Sequence, residues 1–118
     1  MKGNPMWNKP KQKQLARIPK LYAQQDVPAH DQIVYMHFFL GGCDWYITEF
    51  DGEDLFFGFV NLNDMQNAEW GYVSLTELKE LMIHGMQIDR DIHWVPKKVS
   101  EIEKIREWIE ASSEYKSK

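Results

Sequence analysis

Apolar and polar positions follow strand spacing through the middle of the chain and helical spacing toward its end. Residues 33–40 (IVYMHFFL) are apolar on both alternating faces, with His37 the one polar interruption, and are bounded by Asp31 and Gly41-Gly42. Such a run predicts a central strand covered on both sides. Residues 43–50 predict the next strand, with Trp45 and Ile47 on one face and Tyr46, Thr48 and Phe50 on the other. Asp51-Gly52 supplies the positive-φ residue of a tight hairpin, and residues 55–62 return as a third strand. Gly58 in that strand leaves room for a neighbouring ring to lie against the backbone. After a polar connection over 63–68, residues 69–73 predict a short fourth strand.

The pattern then changes period. Ser74-Leu75-Thr76-Glu77 reads as a capping box opening a helix, with Leu75, Leu78, Leu81 and Met82 on one face and Gly85 placed to stop it. Residues 87–95 predict a loop leading into a fifth, edge strand through Ile92, Trp94 and Val95, ended by Pro96. A second box, Ser100-Glu101-Ile102-Glu103, predicts a last helix whose apolar stripe is Ile102, Ile105, Trp108 and Ile109. Near the start, residues 15–18 form a helical turn limited by Pro19, and Leu21 and Tyr22 offer two anchors before a loop through Pro28.

Strands first and helices late, joined by short links, predict an α+β fold: a four- or five-stranded, mainly antiparallel meander packed against one or two helices. The expected organisation is a flexible basic arm over 1–14, one domain over 15–112, and a frayed tail over 113–118. Met6 and Trp7 are the arm's two residues able to pin it to a surface.

Composition narrows the class. A chain of 118 residues predicts one domain burying roughly 65% of its unfolded surface. Aromatic content of 14% supplies large buried areas, so no staple is required. The single Cys43 has no internal disulfide partner, which fits a reducing cytoplasm. No apolar run reaches 18 residues and no apolar stretch follows the first lysines, so neither a membrane span nor a secretory signal is expected.

Charge is divided along the chain. Residues 1–25 carry Lys2, Lys9, Lys11, Lys13, Arg17 and Lys20 with no acid, whereas the remainder carries 8 basic and 18 acidic residues. A basic arm on an acidic body points either to nucleic acid or to docking of the arm on the body. Between residues 33 and 78 there is no Lys or Arg, and eight acids are present. An aromatic sheet so charged repels a phosphate backbone, so nucleic acid would bind through residues 2–20.

Chemical candidates weigh mostly toward structural roles. His30, His37, His84 and His93 lack zinc-motif spacing, and no metal or other cofactor is expected. His37 reads as a core histidine. Cys43 has no helix N-terminus to lower its pKa and reads as a small buried hydrophobe. Glu49, Asp51, Glu53 and Asp54 cluster at the hairpin, where carboxylates favour solvated, Asx-type turns more often than metal or acid–base sites.

Taken together, residues 15–22 (LARIPKLY), 45–51 (WYITEFD), 55–60 (LFFGFV) and 69–78 (EWGYVSLTEL) resemble a bacterial family known as domain of unknown function 2958. The resemblance spans roughly residues 15–98, including IDRDIHWVP, and leaves the arm and the last helix outside the common core. It implies short proteins often encoded on plasmids, phages and other mobile elements, and brings no activity or catalytic residues. The expectation is a non-catalytic binding protein of a mobile element, acting on a protein partner. One form of it is an acidic inhibitor of a nucleic-acid-processing or defence enzyme. Contacts are expected from Trp45, Tyr46, Phe56 and Trp70, with Glu49, Asp51, Glu53 and Asp54 for charge. One alternative is nucleic-acid binding by the arm; another is a small metal-dependent hydrolase built on the hairpin acids with His37 or His93.

Overall fold

A computed structural model describes residues 8–116. Helix α1 (Gln12–Leu15) and the short strand β1 (Ile33–Val34) precede four successive antiparallel strands: β2 (Met36–Leu40), β3 (Cys43–Phe50), β4 (Leu55–Leu62) and β5 (Glu69–Ser74). Helix α2 (Leu75–Glu80) follows, then a minimal hairpin of β6 (Met82–Ile83) and β7 (Met86–Gln87), strand β8 (Asp89–Arg90), strand β9 (Lys97–Lys98) paired with β1, and helix α3 (Glu103–Lys116). The main sheet has the order β5-β4-β3-β2-β8 with every pairing antiparallel, so the fold is α+β as the pattern predicts.

The sheet is packed on both faces. Leu15 and Ile18 of the N-terminal segment, Leu75 and Leu78 of α2, and Ile88 cover one face over Phe38, Ile47 and Phe56. Val99, Ile102 and Ile105 cover the other over Val34, Tyr46 and Phe59. Phe38, Phe56 and Phe59 are 0% exposed, each such burial contributing about 1.5–3 kcal/mol.

Residues 33–40 are not the centre of the sheet. Tyr35 divides them, and β3 occupies the middle, with all eight of its residues buried. Apolar residues on both faces mark any enclosed strand of a doubly covered sheet, so they do not single out the central one.

The predicted facing of β3 holds for Trp45, Ile47 and Tyr46 and fails at Phe50. Ile47 pairs with Gly58 and Glu49 with Phe57, leaving Thr48 as the extra residue of a bulge. That residue shifts the alternation by one, and Phe50 joins Trp45 and Ile47 in one core while Tyr46 lies in the other. Gly58 answers to backbone and not to a ring: a Cβ there would sit 2.0 Å from the Tyr46 carbonyl oxygen.

Ser74 caps α2, its Oγ accepting from the Glu77 N–H at 3.2 Å. The helix ends at Glu80 and Met82 lies exposed in β6, short of the expected stripe. Gly85 (φ +78), with His84 (φ +51), forms the turn of the β6–β7 hairpin and does not terminate the helix. The fifth strand lies at the sheet edge as expected but is Asp89–Arg90, paired with Phe38 and Phe39. Trp94 instead turns inward and donates its indole N–H to the Val34 carbonyl at 3.0 Å.

The second capping box is displaced. Glu101 accepts from the Lys98 N–H at 2.8 Å and closes a 3-10 turn over Val99–Glu101, so α3 begins at Glu103. Its backbone continues to Lys116, through most of the expected tail. Within the expected arm, Asn8 is tied to the body. Asn8 donates its N–H and side-chain amide to Asp89 at 2.9 and 3.1 Å and accepts from Arg90 Nε at 2.9 Å. Lys2, Met6 and Trp7 lie outside the described residues.

Candidate functional site

Register assembles a groove on the outer half of the sheet. Glu49 stands opposite Phe57, Phe57 opposite Tyr72, and Phe59 opposite Trp70. The Phe57 and Trp70 rings stack at 6.1 Å and 15°, and Tyr72 meets Phe57 edge-on at 5.0 Å. The loop before β1 arches over them, with Tyr22, Gln25, Ala29 and Gln32 as the facing wall. Together they enclose 380 Å³.

The loop is fastened by buried polar groups. Glu49, 5% exposed, accepts the Tyr22 N–H at 2.9 Å on Oε1 and the Gln24 N–H at 2.8 Å on Oε2. Gln24 donates its amide to the Ile33 and Thr48 carbonyls, both at 3.0 Å, and accepts the Ile33 N–H at 2.7 Å. Gln32 ties the loop to itself through the Gln24 and Val27 carbonyls. Tyr22 sits at φ +72, a conformation costly for a side chain with a Cβ, and projects its ring outward at 60% exposure. Its hydroxyl, with the Glu49 charge as a lesser contributor, raises the Tyr72 phenol above its ordinary pKa.

A carboxylate offers about four acceptor directions, and the two loop amides use only two of those on Glu49. The groove therefore sets a negative charge beneath exposed aromatic walls, with no Lys or Arg among its lining residues. That chemistry attracts a cationic side chain through charge and ring faces together. No nucleophile–base pair lines it.

The predicted contact residues divide sharply. Trp70 and Glu49 enter the groove. Trp45, Tyr46 and Phe56 are 3%, 5% and 0% exposed, which removes them from any contact surface: their strand positions point into the two cores. Asp51 folds its own loop, one oxygen accepting the N–H groups of Glu53, Asp54 and Leu55 at 2.8, 2.8 and 3.0 Å, and these bonds lower its pKa. Asp54 accepts from the Ser74 hydroxyl and from the Thr76 N–H and hydroxyl, binding the hairpin to the start of α2, and its pKa is lowered by them. Glu53 is exposed beside them. Tyr22, Phe57 and Tyr72 were absent from the expected contacts, since only register and the loop's path bring them together.

His37 does not converge with the hairpin acids. Its Cα partner is Tyr46, five strand residues before Asp51, roughly 16 Å along an extended chain. Its partner is Asp44: Nε2 lies 2.9 Å from Oδ1, Asp44 Oδ2 accepts from Asn61 at 3.1 Å and Lys104 at 3.0 Å, and Tyr46 stacks on the imidazole at 4.5 Å. Burial pushes the Asp44 carboxyl up, but hydrogen bonds from His37, Lys104 and Asn61 outweigh it and leave the pKa lowered. Burial raises Tyr46, with Asp44 adding to the effect. Burial also raises the Cys43 thiol, with the Asp44 charge assisting, which opposes a thiolate nucleophile. His93 is exposed, its N–H donated to Asp91. Among the described residues no three His, Cys, Asp or Glu side chains are grouped to hold a metal ion.

Lys9, Lys11, Lys13, Arg17 and Lys20 are all exposed, and among the described residues none forms a salt bridge. No helix of the described residues is long and apolar enough to cross a membrane.

No curated protein and no solved structure matches the chain. A family model described as a protein of unknown function (DUF2958) matches residues 9–117. That span takes in residues 9–14 of the expected arm and the whole of α3, both of which the resemblance leaves outside the common core.

Proposed function

The chain belongs to the DUF2958 family, and from this premise we propose that it is a non-catalytic binding module for a protein partner. The observation behind the reading is Glu49 beneath the exposed rings of Tyr22 and Tyr72 and the half-buried ring of Trp70. A lysine or arginine of the partner enters there, its charge toward Glu49 and its stem along the rings.

The finer reading is an accessory protein of a mobile element. It acts in the cytoplasm, where it occupies the basic groove of a nucleic-acid-processing or defence enzyme. The absence of any Lys or Arg between residues 33 and 78 supports it, since opposed charge speeds encounter with a basic partner. A second reading, nucleic-acid binding by residues 2–20, draws on the exposed cations of residues 9–20, which form no salt bridge among the described residues.

The test compares tagged wild-type protein with Trp70→Ala and Tyr72→Ala in nuclease-treated lysate of a native host. A stoichiometric protein partner held by wild type and lost from both variants supports the groove. A partner held equally by all three sinks the groove as the contact. Nucleic acid recovered without nuclease, with affinity falling steeply in salt and lost on removing residues 2–20, moves the second reading to first place.

A further inference from the structure

The two edges of the main sheet are finished differently. At one edge β8 is two residues long and strapped by Asn8. At the other, β5 runs for six residues, carries no Pro, Lys or Arg, and no other strand of the described residues pairs with its outer side. Long edges are normally blunted by shortness, by lysine or by proline, because their free amides and carbonyls recruit another strand. β5 has none of these.

Grooves flank this edge on both faces. Trp70 and Tyr72 line the first, over Glu49. Val60, Leu62, Glu69 and Gly71 line the second, of 480 Å³, with Asp64 at its side and Tyr72, at the edge, shared with the first. A Cβ at Gly71 would meet nothing within 4 Å, so the backbone there is open to an approaching chain. Successive side chains of an added strand point to opposite faces, and alternate residues would therefore enter the two grooves in turn. Neither lining contains Lys or Arg, and each contains acid: Glu49 in the first, Asp64 and Glu69 in the second.

We propose that the outer edge of β5 receives an extended basic segment of a partner protein as a sixth strand, with its cationic side chains toward the acids of the second groove, Glu69 and Asp64. Main-chain hydrogen bonds supply affinity and the two grooves select alternate side chains. A second copy of this chain is disfavoured as occupant because its own β5 would bring Glu69 toward acidic linings. The proposal rests on the binding-module reading and adds a geometry to it.

The test titrates full-length protein, followed by Trp fluorescence, with a capped octapeptide of alternating lysine and valine. Its controls are the same peptide with glutamate for lysine, and two versions N-methylated on one or the other alternate set of backbone amides. Expected are saturable binding of the lysine peptide, at least tenfold weaker binding of one N-methylated version, and no binding of the glutamate peptide. Equal binding of both N-methylated versions overturns strand addition and leaves the groove reading standing. Failure of the lysine peptide, while the partner captured from lysate is still lost with Tyr72→Ala, overturns strand addition alone. Loss of both signals removes the binding-module reading as well. A dimer of the protein alone that excludes the peptide makes a second copy the occupant and overturns the proposal.

Discussion

Tyr22 and Tyr72 bring their phenol oxygens to 3.5 Å from each other although fifty residues separate them in the chain. The contact joins the arching loop to the edge strand, and Tyr22 reaches it from a left-handed backbone conformation. Such a conformation costs an L-residue about 1–2 kcal/mol, whereas glycine adopts it freely. Tyr22→Gly is therefore expected to keep stability within about 1 kcal/mol of wild type, since relief of strain offsets the greater freedom of the unfolded chain. Partner binding is expected to fall at the same time. Urea denaturation beside a partner pull-down separates the two, and loss of both together would make Tyr22 structural.

Glu49 has a structural duty beneath its proposed one. Glutamine in its place has one acceptor oxygen, so the Tyr22 or the Gln24 amide loses its partner, at a cost of about 1–3 kcal/mol. Glu49→Gln should lower stability by that amount, and amide hydrogen exchange should quicken first over residues 22–32. Uniform loss of protection through the sheet would refute a local clamp.

The Asp44 network sets an acid-side dependence. A carboxyl whose folded pKa is lowered contributes stability that is fully present above its unfolded value, about 3.9, and is lost as pH falls through the folded one. Asp44→Ala should cost about 3 kcal/mol near neutral pH, because it leaves His37, Asn61 and Lys104 without their shared partner. The gap between variant and wild type should close below pH 4. Urea titrations from pH 7 to pH 2.5 test it, and a gap that stays constant would assign the cost to packing.

Two glycines make a matched pair. A Cβ at Gly58 runs into the Tyr46 backbone, so Gly58→Ala should lose about 1–3 kcal/mol. Gly71→Ala, directly opposite in the register, meets open space and should stay within about 0.5 kcal/mol. Thermal melts of the two variants decide it.

What the sequence disclosed follows from which features are local. The meander, the hairpin at Asp51-Gly52 and the cap at Ser74 each arise from neighbouring residues, and each is present in the fold. Trp45, Tyr46 and Phe56 were misplaced as contacts because aromatic residues serve cores and surfaces alike, and only register tells which way each points. Helix α3 starts late because Glu101 accepts from the Lys98 N–H and closes a 3-10 turn ahead of it, a choice that depends on where the chain enters from β9. The groove was the least legible part. Its wall at Tyr22 and its floor at Glu49 meet through a loop whose course no periodicity records.

The bulge at Thr48 has a consequence for changes of chain length. Elsewhere in β3, removing one residue would invert every side chain beyond the cut, exchanging core for surface. Removing Thr48 would instead close an already interrupted ladder, leaving Ile47 opposite Gly58 and Glu49 opposite Phe57 as they are. Deletion of Thr48 is therefore expected to cost less than deletion of any other residue of the central strand. The sheet would keep its frame, and the cost would fall on the Thr48 carbonyl that receives Gln24 and on the hydroxyl that bonds Phe57.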